Sequence, residues 1–504
     1  MKKILLTSEL QKEIQENKKS GKKIVLCHGV FDLLHYGHIN HFEQAKSHGD
    51  ILIVSLTPDQ FVNKGPLRPA FEERIRMKAL ASLQIVDFVY LNNSPSAVEA
   101  INKLKPDIYC KGSDYKIHKQ DLTKNIKREI NAIKKVKGKI IYTGGQTFSS
   151  GKLINTFSDD LSPSMKKNIN FIKKKYYFDQ IKKVVDNFKN LKVLIIGELI
   201  IDEYVYCEAL GKSGKDPMLV LKDISTEKYI GGSGAIAKNL LSFSKNITLF
   251  TALGEKKEQL NFIKKNLKGI KLKYIKKTNS PTIVKKRFLD FNSGSKILGI
   301  YTINDNLLSK KNEIEFKQLI NTAGKYDVVI TSDYGHGLIS KQCAKIIYKK
   351  SKYLALNAQV NAANIGFHGL KKYRNVHSVI INEKELRHEL RDKDSDIKML
   401  IKKLSNFHNF KNLIVTRGTT GAILFDKKSN KFIESDALAK NAVDKIGAGD
   451  TMLSLISLCM QSKLDNHLSL LIASIGAAIS VKNYANKYTL DKNQILKSLE
   501  SIIK

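Results

Sequence analysis

The chain has 504 residues, which exceeds the roughly 100 to 200 residues of one domain and predicts two or more. Apolar residues make up 42% of it, which favours a protein with buried cores over a disordered one. Its five cysteines are far apart and form no C-x-x-C pair. This argues against a disulfide framework and a structural zinc site, and it fits a reducing cytoplasm.

The sequence shows no segment suited to a membrane. No apolar run reaches the roughly 18 residues that a membrane-spanning helix needs, and residues 468–481, the best candidate, contain three serines. The apolar stretch in the opening MKKILLTSEL is too short for a signal peptide. We therefore expect a soluble cytoplasmic protein without a membrane partner.

The charge is strongly basic, with 86 Lys and Arg against 48 Asp and Glu, a net charge of +38. Only nine of these cations are arginines, and the lysines are spread along the whole chain. Interfaces that read bases favour arginine and aromatic side chains together, and this chain has no tryptophan. We therefore expect no nucleic-acid partner, whereas the charge suits the attraction of anionic, phosphorylated metabolites.

The first third of the chain predicts a Rossmann-like α/β domain. The first 20 residues predict a polar helix, and an apolar strand follows at residues 23–30. Further apolar runs, each preceded by a helical pattern, lie at residues 51–56, 87–91, 108–110 and 139–142. Strands alternating with helices predict a parallel sheet covered by helices. We place this domain at residues 1–156.

The remainder predicts a second, larger α/β domain at residues 191–504. Residues 157–190 contain SDDLSPS and then a lysine-rich amphipathic stretch, which predicts a linker with a connecting helix. Main-sheet strands are expected at residues 191–196, 327–331, 379–382 and 412–416. Polar and apolar residues alternate at residues 204–230 and 282–303, which predicts short exposed strands that form a small β lid.

The first strand runs into HGVFDLLHYGH, where His35 and His38 lie at the expected start of a helix. Parallel sheets bind ligands at such strand ends, and a helix N-terminus attracts phosphate, so this turn predicts a nucleotide-phosphate site. The pattern G-x-F-D-x-x-H-x-G-H is completed by Gly29, Phe31, Asp32 and Gly37. This segment resembles the cytidylyltransferase-like nucleotidyltransferases.

The resemblance covers about residues 22–156 and is nearest to the adenylyltransferase half of the bifunctional heptose-phosphate kinase/adenylyltransferases. It implies that the two histidines stabilise charge on the α-phosphate while a sugar or alcohol phosphate attacks a nucleoside triphosphate. The further nucleotide-site residues that it implies are Lys46, Arg74, Lys111, Gly112, Asp114, Ser149 and Ser150. Lys46 is alternatively a solvated helix lysine, and Ser149 a simple N-cap. ATP and CTP both remain open as the nucleotide.

Near the end of the chain, DKIGAGDT precedes an apolar helical stretch. Its glycines let backbone N–H groups approach an anion at the helix start, and Asp450 is placed to accept a proton from a hydroxyl nucleophile. Upstream, GELIIDEY, YIGGSGAIAKNL, PTIVKKR, SDYGHGL, NEKE and VTRGTTG follow in order. This series resembles the ribokinase/PfkB sugar kinases over about residues 190–500.

The second resemblance implies a set of site residues. Asp450 is then the general base, and the anion hole is formed by Gly447, Ala448 and Gly449. Asn382 and Glu385 organise Mg²⁺ and its waters, although this pair alone would be an ordinary helix start. The ATP site is lined by Thr416, Gly418 and Gly421. The sugar-phosphate site is formed by Asp202, Gly231, Gly232, Asn239, Lys285 and Arg287.

Several positions depart from the pattern of these kinases. They are Glu198, Ala235, His336, Ile446 and the segment at residues 357–359. The domain order is also the reverse of that in the familiar bifunctional enzymes, in which the kinase comes first. The catalytic residues are retained while the sugar pocket is altered, so the resemblance supports a kinase fold more firmly than a heptose substrate.

The sequence therefore predicts a Mg²⁺-dependent bifunctional enzyme. It would phosphorylate a sugar or sugar phosphate at the anomeric hydroxyl and couple the sugar 1-phosphate to a nucleotide, with ADP-heptose for lipopolysaccharide or surface glycans as the most specific form. The alternative is a nucleotidyltransferase whose kinase-like domain binds a sugar phosphate without turnover. The expected partners are a sugar phosphate, a nucleoside triphosphate and a second copy in a homodimer.

Overall fold

The computed structural model describes residues 3–62, 68–112, 125–144, 161–361, 364–366, 368–439, 442–482, 484, 486–487 and 489–503. The chain divides into two compact units, Met1–Asp160 with Leu496–Ile502, and Leu161–Ile495. Each unit has its own largely parallel sheet with helices. The predicted α/β class is confirmed in both halves.

The first unit contains one five-stranded sheet. Its strands are β1 (Ile24–Gly29), β2 (Ile51–Leu56), β3 (Phe88–Leu91), β4 (Ile108–Gly112) and β5 (Lys139–Thr143). Its helices are α1 (Thr7–Lys19), α2 (Tyr36–Lys46), α3 (Glu73–Ala81), α4 (Val98–Leu104) and α5 (Asn125–Lys135). The strands are parallel in the order β3-β2-β1-β4-β5. The order reverses between β1 and β4, and open parallel sheets bind ligands at the carboxyl ends of such strands.

Both faces of this sheet are buried, which explains why its strands are continuous apolar runs. Ile24 and Leu26 of β1 pack into one core, whereas Val25 and Cys27 pack into the other. The strands predicted from such runs are confirmed to within a few residues at each end. All five cysteines of the chain are buried free thiols.

The second unit is larger and has two sheets. Its strands are β6 (Lys192–Gly197), β7 (Leu199–Lys212), β8 (Leu219–Gly232), β9 (Asn246–Gly254), β10 (Lys271–Lys277), β11 (Val284–Asp290), β12 (Lys296–Thr302), β13 (Tyr326–Asp333), β14 (Ser351–Ala358), β15 (Val376–Asn382), β16 (Phe410–Thr416), β17 (Ala422–Asp426) and β18 (Lys431–Ser435). The main sheet has nine strands in the order β10-β9-β6-β13-β14-β15-β16-β17-β18. The last two strands are antiparallel and the others parallel.

The helices of this unit cover the main sheet or flank it. They are α6 (Pro163–Lys175), α7 (Phe178–Asn187), α8 (Ser233–Leu240), α9 (Leu260–Asn266), α10 (Lys310–Asn321), α11 (Lys341–Tyr348), α12 (Glu383–Leu390), α13 (Ile397–Phe407), α14 (Ala448–Gln461) and α15 (Asn466–Ser480). The last helix, α16 (Lys492–Ile503), begins in this unit, while its residues Leu496–Ile502 are grouped with the first. The helices of the described residues include none that is both long and apolar enough to cross a membrane.

The predicted lid is a separate four-stranded sheet in the order β12-β11-β7-β8. Its two longest strands, β7 and β8, have 14 residues each, so they are not the short strands that the alternation predicts. β7 is buried where it leaves the main sheet and exposed towards its end. β12 is exposed along its whole length.

The segment predicted as a linker forms helices α6 and α7. Met165 and Ile172 of α6 are buried. Just before α6, the Ser162 hydroxyl donates a 2.7 Å hydrogen bond to Asp436, and Asn168 donates to the carbonyl oxygen of Glu434. Helix α6 is therefore an integral part of the second unit, which begins at Leu161.

Two candidate active sites

The histidine turn, residues 28–38, follows the carboxyl end of β1. His35 has an extended backbone and caps the start of α2. The rings of His35 and His38 are stacked with their centroids 3.9 Å apart, and the edge of Phe31 packs on His38. Because both imidazoles lie at a helix N-terminus beside the central strand, the structure brings the two predicted catalytic histidines together where a phosphate is attracted.

Asp32 is buried beneath this turn and anchors a second segment to it. Its carboxylate accepts hydrogen bonds from the backbone N–H groups of Ala70 and Phe71 at 2.8 and 3.1 Å. It also pairs with Arg68 at 3.2 Å. All of these donors belong to the protein, so Asp32 acts here as a positioning residue for the wall of the site.

Arg74 is exposed on α3, whereas Arg76 of the same helix is buried. The Arg76 guanidinium donates to the carbonyl oxygen of Val30 at 2.5 Å and to that of Thr57 at 3.1 Å. Arg76, which sequence analysis missed, thus ties the ends of β1 and β2 together. Residues four apart lie on the same face of a helix, so Arg76 shares the buried face of α3 with Leu80. This spacing could have distinguished Arg76 from Arg74 in the sequence.

Lys46 lies in the last turn of α2, far from the histidine turn at the other end of that helix. Its ammonium donates to the carbonyl oxygen of Asp50 at 2.6 Å and pairs with Asp87. Asp50 and Asp87 precede β2 and β3, so this contact lies at the amino edge of the sheet. The structure does not bring Lys46 to the histidines.

Lys111 is buried near the carboxyl end of β4. Its ammonium pairs with Glu129 at 3.2 Å and donates to the hydroxyl of Tyr109 at 3.0 Å. Burial and the positive charge of Lys111 together lower the pKa of His28 to about 3, so His28 is neutral at physiological pH. Gly112 ends β4, while Asp114, Ser149 and Ser150 lie outside the described residues.

The second candidate site is built around Asp450 in the first turn of α14. The helix is capped by Gly447, whose φ of +87° is one that other residues rarely adopt. The Tyr334 hydroxyl donates a 2.7 Å hydrogen bond to Asp450 Oδ1. Burial, with a contribution from the charge of Asp202, raises the pKa of Asp450 to about 7. Ala448 and Gly449 begin the same helix, where N–H groups have no intrahelical partner.

Four of the predicted sugar-phosphate residues lie along the lid strands, and a fifth, Gly232, ends β8. Arg287 pairs with Asp202 at 2.5 Å across β11 and β7, and Lys285 is the register partner of Asp202. A side chain at Gly231 would overlap the Asp202 carboxylate, so glycine is required at this close approach. The Lys285 ammonium lies 5.9 Å from the ring centre of Tyr334. These residues are therefore brought to the Asp450 site.

Two other predicted residues lie at the base of the site. Asn239 is buried on α8 and donates a 3.1 Å hydrogen bond to the hydroxyl of Thr451. Gly232 caps the start of α8. Asn239 thus holds helix α14 next to Asp450, and its amide is engaged by the protein.

Asn382 and Glu385 form a reciprocal capping box at the start of α12. Glu385 accepts the N–H of Asn382 at 2.7 Å and that of Val360 at 3.2 Å. Burial raises the pKa of Glu385 to about 7, and the charge of Asp450 adds to this shift. Thr416 is the register partner of Asn382 on β16, so the predicted ATP and Mg²⁺ residues share one sheet edge.

Gly418 and Gly421 both lie in the turn that connects β16 to β17, directly after Thr416. The predicted ATP residues are therefore adjacent in space as well as in sequence.

Two sequence families match the chain along its length. Residues 190–493 match the pfkB family carbohydrate kinases, and residues 26–176 match the cytidylyltransferase-like family. The chain belongs to the pfkB family of carbohydrate kinases. The predicted resemblances are confirmed in both halves of this pfkB-family protein.

The curated relatives of this pfkB-family chain include proteins that are named bifunctional. The bifunctional protein HldE of Campylobacter jejuni strain RM1221 is 26% identical over 312 residues, 61% of this chain and 65% of the relative. The bifunctional protein HldE of Desulfatibacillum aliphaticivorans is 43% identical over 110 residues, 21% of this chain and 22% of the relative. The chain thus spans less than two thirds of the length of these relatives.

Solved structures place the pfkB-family half among known folds. Phosphofructokinase-2 from Escherichia coli in complex with potassium aligns with a TM-score of 0.51 at 12% identity. The alignment covers 62% of this chain and all of that chain. At this identity the likeness shows the fold alone.

Two departures of this pfkB-family kinase from the expected pattern have structural partners. The Glu198 carboxylate accepts the N–H groups of Tyr334 and His336 at 3.0 and 3.1 Å, so it holds the turn that carries Tyr334. His336 pairs with Asp305 at 2.5 Å. Tyr334 lies within the SDYGHGL motif, but only its contact with Asp450 marks it as a site residue.

Two of the other three departures are apolar side chains. Ala235 is buried within α8, and Ile446 packs beside Tyr204 next to the glycine-rich helix start. Neither side chain offers a polar group to a substrate.

Proposed function

We propose that the protein is a bifunctional enzyme that phosphorylates a sugar phosphate at its anomeric hydroxyl and then couples the sugar 1-phosphate to a nucleotide, as in ADP-heptose synthesis. The observation that carries this proposal is the arrangement around Asp450. A carboxylate with a pKa of about 7 begins helix α14, and the cations Lys285 and Arg287 lie on the lid beside Asp202. The relatives are named bifunctional proteins, which supports two activities in one chain.

In the kinase step, Asp450 accepts the proton of the attacking hydroxyl. A base with a pKa near 7 suits this task, because about half of it is ionised at neutral pH and the ionised form is basic enough to accept the proton. The N–H groups at the start of α14 stabilise the negative charge on the transferred phosphoryl group. Lys285 and Arg287 bind the phosphate that the sugar already carries.

Mg²⁺ is part of the proposal, and Asn382 and Glu385 fit it. Each Glu385 oxygen accepts one backbone N–H, which leaves lone pairs for the waters of a hydrated ion. The described residues contain no cluster of three or more acidic, histidine or cysteine side chains that could hold a metal directly. Mg²⁺ commonly keeps several waters and binds substrate phosphates, where it would neutralise their charge.

In the nucleotidyl step, the sugar 1-phosphate oxygen attacks the α-phosphorus of ATP or CTP and pyrophosphate leaves. His35 and His38 stabilise the charge that develops on the α-phosphate. No covalent intermediate on the protein is required, because positioning and charge neutralisation supply the acceleration. Both steps consume nucleoside triphosphates, which supports the cytoplasm as the place of action.

The alternative is that the kinase-like half binds a sugar phosphate without turnover. The observations that favour it are the altered positions Glu198 and His336, both of which are engaged by the protein at the base of the site. One assay separates the two functions. Purified protein is incubated with Mg²⁺, ATP or CTP and a panel of sugar phosphates, and release of ADP and of pyrophosphate is measured separately. Release of both supports bifunctionality, release of pyrophosphate alone supports the alternative, and release of neither contradicts both.

We also propose a homodimer formed through the lid. Ile297, Leu298 and Ile300 of β12 are between 37% and 52% exposed, and Leu210 and Leu219 at the ends of β7 and β8 are more than half exposed. Apolar patches of this kind mark protein interfaces. Sedimentation should show a dimer that Leu298→Lys with Ile300→Lys converts to a monomer, and a monomeric wild type would contradict this arrangement.

A further inference from the structure

A second concave surface of the kinase unit has no part in the function proposed above. This basic cavity has a volume of about 840 Å³ and lies between residues 360, 365–366, 368–369 and 371–372, helix α12 and the start of α11. Asp450, Lys285 and Arg287 are not among its lining residues. Two of its lining residues adjoin the motif expected to organise Mg²⁺: Lys384 lies between Asn382 and Glu385 in the chain, and the Val360 N–H donates to Glu385 at 3.2 Å.

Lysine and arginine are more frequent among the residues that line this cavity than in the chain as a whole. Lysine and arginine make up 86 of the 504 residues, or about 17%. They make up seven of the fifteen lining residues, or about 47%. Two of the nine arginines of the chain, Arg387 and Arg391, are among them. A lysine-rich composition alone therefore does not account for the lining.

Some of these cations are already neutralised by the protein and form its wall. Lys372 pairs with buried Asp333 at 2.5 Å, and Arg387 pairs with Glu383 at 2.8 Å. In contrast, the side chains of Lys371, Lys384 and Arg391 make no hydrogen bond or ion pair with any described residue, and all three are exposed.

The two acidic lining residues compensate these charges only in part: Glu389 attracts the charge of Lys371, and both acids are also engaged by other groups. Glu389 accepts the N–H of Leu370 at 3.1 Å and faces His408 at 3.7 Å. Asp392 accepts the N–H of Ser395 at 3.1 Å. The basic cavity thus has an excess of positive charge on a concave surface, where like charges repel unless an anion is bound.

We propose that the basic cavity binds a small molecule that carries at least two phosphate groups. Its volume falls within the roughly 300 to 1,000 Å³ of small-molecule sites and suits a nucleotide-sized ligand. The Arg391 guanidinium can bind a phosphate through two hydrogen bonds, and Lys371 and Lys384 act as point charges on others. A single carboxylate would leave most of this charge uncompensated.

The test uses sodium tripolyphosphate as probe and the full-length protein in isothermal titration calorimetry. The variant Lys371→Glu with Arg391→Glu reverses two exposed cations of the cavity. The control Lys264→Glu with Lys265→Glu makes the same change of net charge on α9, at two exposed lysines outside the cavity. We expect the cavity variant to bind at least about tenfold more weakly and the control to bind like wild type. Circular dichroism tests whether the double variant of the cavity is folded. If it is not, the single variant Lys371→Ala is used in its place.

Three results would overturn the proposal. Unchanged affinity in the cavity variant would show that the probe binds elsewhere, and equal weakening in both variants would show a response to net charge alone. In the third case, the cavity variant raises the KM for ATP by the same factor as the Kd for tripolyphosphate. This would show that the cavity is part of the catalytic nucleotide site. Calorimetry needs no turnover, so a failure of the proposed kinase activity leaves this test intact.

Discussion

The hydroxyl of Tyr334 donates a 2.7 Å hydrogen bond to Asp450, so the candidate base is oriented by a residue at the end of β13 and not by its own helix. Glu198 holds the turn that carries Tyr334 through two backbone N–H groups. Glu198, which departs from the family pattern, thus fixes the turn that places Tyr334 beside the candidate base. This arrangement leads to a prediction on the pH dependence of the kinase step.

We expect Tyr334→Phe to move the pH profile of the kinase step upwards. Asp450 must be ionised to accept a proton, so wild-type kcat/KM should rise with pH and level off above about 7. The hydrogen bond from Tyr334 favours the ionised carboxylate, and its loss raises the pKa of Asp450. The matched control is Tyr373→Phe, whose hydroxyl bonds to Asp333 and not to Asp450. Equal shifts in both variants would contradict the assigned role of Tyr334.

Asp450→Asn should lower sugar-dependent ADP release by roughly a hundredfold to ten-thousandfold, because asparagine cannot accept the proton. Sugar-phosphate binding and pyrophosphate release from added sugar 1-phosphate should persist, since the histidine turn belongs to the other unit. Coupled assays of ADP and pyrophosphate measure the two activities. If the wild type phosphorylates the sugar and Asp450→Asn does so at the same rate, another group must be the base.

The same variant should be more stable than wild type at pH 8 but not at pH 4. The folded pKa of Asp450, about 7, lies above its unfolded value, so the native state resists ionisation as the pH rises from about 4 to 7. Wild type therefore loses stability across this window, and asparagine, which has no charge, avoids the loss. Thermal unfolding at both pH values tests this, and a gain of equal size at pH 4 would refute the explanation by ionisation.

His38→Ala should lower pyrophosphate release about a hundredfold or more and leave ADP release near the wild-type level. The reason is that His38 stacks on His35 at the start of α2, in a unit without Asp450. The exposed His48, just beyond the other end of α2, provides the control exchange His48→Ala, which should affect neither activity. Equal loss of both activities in a folded His38→Ala variant would argue against two separate sites.

A fragment that starts at residue 161 should be more stable than one that starts at residue 185. The longer fragment retains α6, whose Met165 and Ile172 are buried and whose capping serine bonds to Asp436. Loss of this apolar burial should lower the free energy of unfolding by several kcal/mol. The shorter fragment also lacks Phe178 and Ile181 of α7, so urea unfolding of the two fragments measures the joint contribution of both helices, and equal midpoints would show that neither stabilises this unit.

Local patterns were sufficient to predict the strands and the positions of both sites. Strands such as β1 and β6 are buried on both faces, so they are continuous apolar runs that stand out from the flanking helices. The turns after them carry the histidines and the glycine-rich helix start within a few residues, so their chemistry can be read from adjacent positions. The α/β class and both family resemblances follow from these local features.

Tertiary structure alone decided which distant residues meet. Lys46 and Arg74 were both predicted to line the nucleotide site. In the structure, Lys46 pairs with Asp87 at the opposite edge of the sheet, and Arg74 is exposed. Conversely, Tyr334 reaches Asp450 across 116 positions of the chain. Periodicity reports whether a side chain is buried, but strand order and helix packing determine its partner. For this reason the sequence by itself determined the fold class and the catalytic motifs, while the contacts that tune each site depended on the folded chain.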